Sequence, residues 1–236
     1  MALIQRLLLV FALLATLPAV AQETYDPFES VNRKIYVFNE ATDRYVLRPI
    51  ARGYVAVTPD PVERGVSNFI RNIFEFNTIF NSLLQGRVVD TAHSTGRFLI
   101  NSTLGLGGLF DVATRIGLED RTADFGQTLY TWGVGEGPFI MLPVLGPRTL
   151  RSSMGTLVDT YASLPYLSNE GEIISIVTAI QAVDIRAELL KADELIVGDP
   201  YIFLREAYLQ QRDYFLTGVI EDSFSDYEDE EDYEDF

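Results

Sequence analysis

The sequence predicts a mainly α-helical protein, and three observations carry that expectation. Apolar residues recur three and four positions apart in several long segments. Asp-Pro pairs mark helix starts at three places. Alternating apolar and polar runs of the kind that make strands are sparse. The body, about residues 22–220, contains no Ser/Gly linker, repeat or composition break, and its size suits one domain. A hydrophobic content of 47% can supply a substantial core.

The elements follow in order. Residues 1–21 read as a cleavable secretory signal: Arg6 gives the positive start, Leu7 to Leu17 the apolar run, and Ala19-Val20-Ala21 the small-residue cleavage site. That run is too short to span a bilayer, so a mature chain starting at Gln22 is expected, without a retained anchor. Asp26-Pro27, Asp60-Pro61 and Asp199-Pro200 each place a capping carboxylate before a proline at the first helical position. Glu29 and Glu63, three residues after the first two aspartates, complete a capping-box pattern. Phe28, Val31, Ile35 and Phe38 then form the apolar side of the first helix, and Tyr201, Leu204, Tyr208 and Phe215 that of the last. Two further helices are predicted over Val88–Leu104 and Ile173–Ile196, the second broken near Val183.

The segment Val66 to Leu84 is the most informative. Val66, Phe69, Ile70, Ile73, Phe74, Phe80, Leu83 and Leu84 fall mostly at helical spacing, whereas Asn68, Asn72, Asn77 and Asn81 lie between them. Arg71 and Glu75 are its only charges. A helix on the surface of a water-soluble protein carries a heavily charged outer face. This one has an aromatic and aliphatic stripe backed by neutral hydrogen-bonding groups. It is therefore expected to be fully buried or to lie where lipid meets water.

Residues 221–236 hold ten acidic side chains and no basic one, and without them the formal net charge falls from −16 to −6. Self-repulsion predicts a disordered, solvated tail. The remaining basic residues are scattered, which disfavours a nucleic-acid partner. The sequence contains no cysteine, so disulfides, thiol chemistry and lipid attachment through a thiol are not expected. His93 is the sole histidine, with no G-x-S-x-G elbow beside it, so neither a histidine metal cluster nor a hydrolase triad is expected. Gly105-Leu106-Gly107-Gly108 and Gly133-Val134-Gly135-Glu136-Gly137-Pro138 are glycine-rich but fit no nucleotide motif. No cofactor and no catalysis are expected. Few reactive groups and many apolar helices in an exported chain point to handling of an apolar ligand or of membrane itself.

Several strings then resemble one family in order along the chain. They are Asp26-Pro27-Phe28-Glu29, Asn32 to Asn39, Arg48-Pro49-Ile50-Ala51, Val66-Ser67-Asn68-Phe69, and Phe98 to Gly108. Gly133 to Phe139, Leu142-Pro143, Gly146-Pro147, Arg151, Asp199-Pro200-Tyr201 and Arg205-Glu206-Ala207-Tyr208 follow. The ordered set, over about Asp26 to Phe215, resembles the MlaA (VacJ) phospholipid-transport lipoproteins.

That resemblance implies a single ring-like helical domain with amphipathic helices lying in the membrane interface around a central channel. It implies residence in the outer membrane on its periplasmic side, and removal of mislocalised phospholipids from the outer leaflet. The implied partners are phospholipid, a trimeric porin and a soluble periplasmic lipid carrier, with no covalent chemistry. By resemblance, Asn32, Arg33, Tyr36, Phe38 and Asn39 belong to the segment that shapes and gates the channel, and Gly133, Gly135 and Gly137 lie near the pore. Phe69, Ile73, Phe76 and Phe80 are expected to contact lipid. Family members usually carry a lipidated cysteine after the signal, where this sequence has Gln22. Residence would then depend on the helices and on porin contacts. A soluble periplasmic carrier of one apolar ligand is the rival expectation, and a lipid hydrolase using His93 a third.

Overall fold

A computed structural model describes residues 26–190, 193 and 198–218. The predicted signal, the acidic tail and most of residues 191–197 lie outside the described residues. The chain divides into two compact units, with the division between Leu195 and Ile196.

The first unit opens with helix α1 (Glu29–Thr42), one turn of π-helix (Asp43–Leu47) and α2 (Arg48–Val57). Then come α3 (Asp60–Leu84), α4 (Val88–Thr103), α5 (Val112–Arg115) and α6 (Phe125–Thr131). Strands β1 (Phe139–Leu142) and β2 (Gly146–Thr149) precede α7 (Leu150–Ala162), α8 (Leu164–Leu167) and α9 (Gly171–Glu188). The second unit contains α10 (Pro200–Thr217). The fold is mainly α, as predicted.

The helix starts differ in instructive ways. Asp199 caps α10, its carboxylate accepting from the Tyr201 N–H at 2.9 Å. Asp60 does not cap α3: it is the first helical residue, and Pro59 is the cap. The extended Pro59 turns the chain one residue earlier than expected, and its carbonyl accepts from the Val62 and Glu63 N–H groups. Asp60 and Glu63 consequently lie in the first turn, where the positive end of the helix dipole favours carboxylates. Asp26 and Glu29 form no capping box either. Asp26 is occupied by Asn32 and the Phe28 N–H, and Glu29 pairs with Arg33 at 2.7 Å. Helix α4 matches its predicted span to within one residue. Helix α9 runs through Val183 unbroken, since no proline or glycine interrupts its ladder there. The β1–β2 hairpin is new; it pairs Phe139 with Thr149 through to Leu142 with Gly146.

The interior of the first unit is polar. Among its described residues, nine apolar side chains are buried, four of them alanine, against nineteen polar or charged ones. Helix α3 sets this pattern. Ser67, Asn72, Glu75, Asn77, Thr78, Asn81 and Ser82 are buried. Val62, Phe69, Ile73, Phe76, Phe80 and Leu83 fall within about 80° of the opposite side at 100° per residue. Of these, Val62, Phe69 and Leu83 are exposed and the other three half-buried.

On α3 each buried asparagine donates its Nδ2 to a specific partner, although Asn72 Oδ1 and Asn77 Oδ1 have none. Asn72 donates to Ser102 Oγ at 2.9 Å, and Asn77 to the Asp159 carbonyl at 2.8 Å. Asn81 donates to the Asp159 carboxylate at 2.7 Å and accepts from Thr128 Oγ1 at 2.9 Å. Asp159 in turn accepts from the Phe125 N–H at 2.8 Å, so α3, α6 and α7 share one network. Ser67 bonds Asp184 on α9 at 2.6 Å. Close approach supports it: a Cβ on Gly155 of α7 would lie 2.3 Å from the Gly126 nitrogen of α6.

Leaving the partners of a buried amide unsatisfied costs more than truncating an exposed leucine. Asn81→Ala is therefore expected to lower stability in detergent micelles by about 2 kcal/mol. Leu83→Ala should stay within about 0.5 kcal/mol. Denaturant titration of the two variants compares them.

Candidate functional site

The residues predicted to shape a passage gather in part around the β1–β2 hairpin. Asn32 is buried on α1. Its Nδ2 donates to Asp26 at 2.8 Å and to the Phe139 carbonyl at 3.2 Å, and its Oδ1 accepts from the Met141 N–H at 2.9 Å. Asn39, two turns on, repeats the arrangement: Nδ2 donates to the Leu142 carbonyl at 2.9 Å and Oδ1 accepts from the Val144 N–H at 2.7 Å. Seven helical residues rise ~10.5 Å, and three strand residues extend ~10 Å. The two asparagines thus match the strand in pitch and take the place of a neighbouring strand. They satisfy backbone groups that would be costly to leave bare away from water.

The other predicted residues of α1 take different positions. Arg33 pairs with Glu29, Tyr36 is half-buried, and Phe38 is exposed. Around the hairpin tip, Val144 and Leu145 are exposed too, so the clamp is polar inside and apolar outside.

The loop leading into β1 carries the predicted glycines. Gly133 and Gly137 adopt left-handed φ of 84° and 72°. A Cβ on Gly137 would lie 2.8 Å from Cβ of Leu150, whereas one on Gly135 would meet nothing within 4 Å. Arg151, buried at the start of α7, organises this loop. It donates Nη1 to the Val134 carbonyl at 3.0 Å and its own N–H to the Glu136 carbonyl at 3.0 Å. Its guanidinium also lies 5.1 Å from the centre of the Tyr130 ring. The sequence marked Arg151 but gave it no role.

A second assembly escaped the sequence reading. Where α1 passes into α2, Asp43 accepts from Arg48 Nη2 at 2.9 Å and from Arg186 Nη2 at 3.1 Å. Arg186 also reaches Asp193 at 2.8 Å. Two aspartates and two arginines balance in charge across the π turn and α9. Burial pushes the Asp43 carboxyl up, but the hydrogen bonds and charges of Arg186 and Arg48 outweigh it and hold it below 3.8. No local pattern betrays a pair separated by more than a hundred residues.

His93 directs Nε2 to the Glu119 carbonyl at 2.7 Å, a structural contact. Among the described residues, no group of three or more His, Cys, Asp or Glu could hold a metal ion. No described helix is long and apolar enough to cross a membrane. On one side of α3, Phe69 is exposed and Ile73, Phe76 and Phe80 are half-buried.

Two expectations follow. Asn39→Ala should speed amide hydrogen exchange at Val144 while Asn32→Ala speeds it at Met141, each leaving the other site protected; exchange mass spectrometry resolves them. Since the Asp43 carboxyl is depressed in the fold, its stabilisation is present above pH 3.8 and is lost as pH falls through the lower folded value. Asp43→Asn should therefore be less stable than wild type at neutral pH and lack that acid-dependent loss in a pH series of melting curves.

Comparison with known proteins agrees with this architecture. Residues 24–215 match the family model described as MlaA lipoprotein. The Escherichia coli (strain K12) intermembrane phospholipid transport system lipoprotein MlaA is 36% identical over 200 residues, which cover 82% of this chain and 79% of that protein. The protein of the same name from Haemophilus influenzae is 36% identical over 197 residues, 80% of this chain and 78% of its own. A Rickettsia conorii protein is 38% identical over 197 residues, covering 81% and 78%. A solved structure concerned with the maintenance of bacterial outer membrane lipid asymmetry superposes with a TM-score of 0.72 at 37% identity, covering 81% of this chain and 99% of that one. The Escherichia coli and Haemophilus influenzae relatives are named lipoproteins, while the present 236 residues include no cysteine. On the length and identity of these matches, the chain belongs to the MlaA lipoprotein family.

Proposed function

We propose that this protein is the outer-membrane component of an intermembrane phospholipid transport system. It takes mislocalised phospholipid from the outer leaflet and passes it to a soluble periplasmic carrier, so preserving lipid asymmetry. In this reading the helices form a ring-like arrangement around an amphipathic channel, on the periplasmic side of the outer membrane and beside a trimeric porin. Asn32, Arg33, Tyr36, Phe38, Asn39, Gly133, Gly135 and Gly137 shape and gate the passage. Phe69, Ile73, Phe76 and Phe80 meet acyl chains. The step needs no covalent chemistry, because lipid moves from a poorer environment to a better one.

The observation that carries this reading is the inverted polarity of α3. Its buried asparagines donate to neighbouring elements, while on its opposite side Val62, Phe69 and Leu83 are exposed and Ile73, Phe76 and Phe80 half-buried. Such a helix gains by lying in the headgroup and acyl boundary, where apolar side chains enter hydrocarbon while backbone bonds stay closed within the helix.

Deletion in the source bacterium should raise outer-leaflet phospholipid, measured by leaflet-specific labelling, and the wild-type gene should reverse it. Unchanged asymmetry after deletion would sink the transport assignment. The triple variant Phe69→Asp, Phe76→Asp, Phe80→Asp should fail to restore asymmetry and should leave the membrane fraction. Release of the wild-type protein by alkali alone, without detergent, would favour the soluble carrier.

A further inference from the structure

A buried charge group between α3 and α4 has a composition that structure alone does not require. Glu75, Ser94 and Arg97 are each more than nine-tenths buried. Arg97 Nε lies 3.5 Å from a Glu75 oxygen and Arg97 Nη2 3.6 Å from Asp111. Both separations exceed the ~2.7–2.9 Å of a charge-assisted hydrogen bond. The close bonds of Arg97 go elsewhere: Nη1 donates to Thr114 Oγ1 at 3.0 Å and to the Leu118 carbonyl. Meanwhile Glu75 Oε1, Ser94 Oγ and Arg97 Nε have no hydrogen-bond partner.

Two carboxylates therefore face one guanidinium, and they are not equivalent. Asp111 accepts from Asn101 Nδ2 at 3.1 Å, from the Thr114 N–H at 3.1 Å and from Thr114 Oγ1 at 2.6 Å. Those donors stabilise its charge, so Asp111 balances Arg97. Glu75 is the surplus. Burial pushes its carboxyl up more strongly than the neighbouring Ser94 hydroxyl and Arg97 pull it down, and Asp120 adds a further push upward. His93, next to Ser94, is turned toward the Glu119 carbonyl.

We propose that Glu75 is a proton-binding site whose occupancy decides whether Arg97 holds the segment Thr114–Leu118 against α4. With the proton on Glu75, the group is electrically balanced and Arg97 keeps its bonds to Thr114 and Leu118, as found here. When Glu75 loses the proton to water, the buried carboxylate draws the guanidinium toward itself and that segment is released. The segment begins within α5, directly after the Asn101–Asp111 contacts that close the apolar glycine-rich loop. The device is independent of the lipid assignment, since it concerns only what Arg97 binds.

The test is hydrogen exchange of residues 114–118 in the full chain in micelles, corrected for the intrinsic pH dependence of exchange. In wild type, exchange should rise about tenfold between mildly acidic and mildly alkaline pH, the change that one pK unit of coupling provides. In Glu75→Gln, which keeps shape but not charge, it should stay slow across the range. Equal pH dependence in both proteins, or none in wild type, would overturn the proposal. If Glu75→Gln does not fold, infrared spectroscopy of wild type decides: a buried protonated-carboxyl band that disappears as pH rises, in step with the exchange, supports it. No such band at mildly acidic pH rejects it.

Discussion

The pairing of side-chain amides and hydroxyls with partners on other elements is the constraint on which the first unit depends. In a water-soluble domain, apolar burial brings helices together and hydrogen bonds refine the fit. Here Asn77, Asn81, Thr128 and Asp159 bind α3 to α6 and α7, while Phe69 and Leu83 remain outside. Few large apolar side chains are buried in this unit, so close packing and hydrogen bonds hold its helices together. The Gly155–Gly126 approach and the asparagine network supply both.

The two ionic groups, one part-buried and one buried, serve different ends. Around the π turn, Asp43 and Asp193 match Arg48 and Arg186 in number, and short contacts hold α1, α2 and α9 together. Around Arg97 the count is uneven and the ionic separations long. A balanced buried cluster fixes a geometry, whereas an unbalanced one keeps a preference between protonation states.

Much of this was legible in the sequence because periodicity reports which side of a helix differs from the other. The spacing of apolar residues against Asn68, Asn72, Asn77 and Asn81 marked Val66–Leu84 as a helix either fully buried or lying where lipid meets water without choosing between them, and the span of α4 followed from its apolar repeat. Helix starts were less legible. Asp26, Asp60 and Asp199 share one dipeptide, yet tertiary demand from Asn32 and the extended Pro59 left only Asp199 as a cap. The β1–β2 hairpin was missed because four-residue strands with Pro147 in one of them carry almost no alternation. Asn32 and Asn39 were singled out by resemblance. Their action as a surrogate strand depends on partners about a hundred residues away, which spacing along one helix cannot reveal.

The polar interior also has a thermodynamic consequence. Heat capacity rises on unfolding in proportion to apolar surface newly wetted and falls with polar surface exposed. A unit that hides amides and hydroxyls and buries few large apolar side chains has little of the first term and much of the second. Its stability curve is then flat, with enthalpy nearly constant between cold and warm conditions. Such a protein should resist cold far better than a helical bundle of equal size with an apolar core.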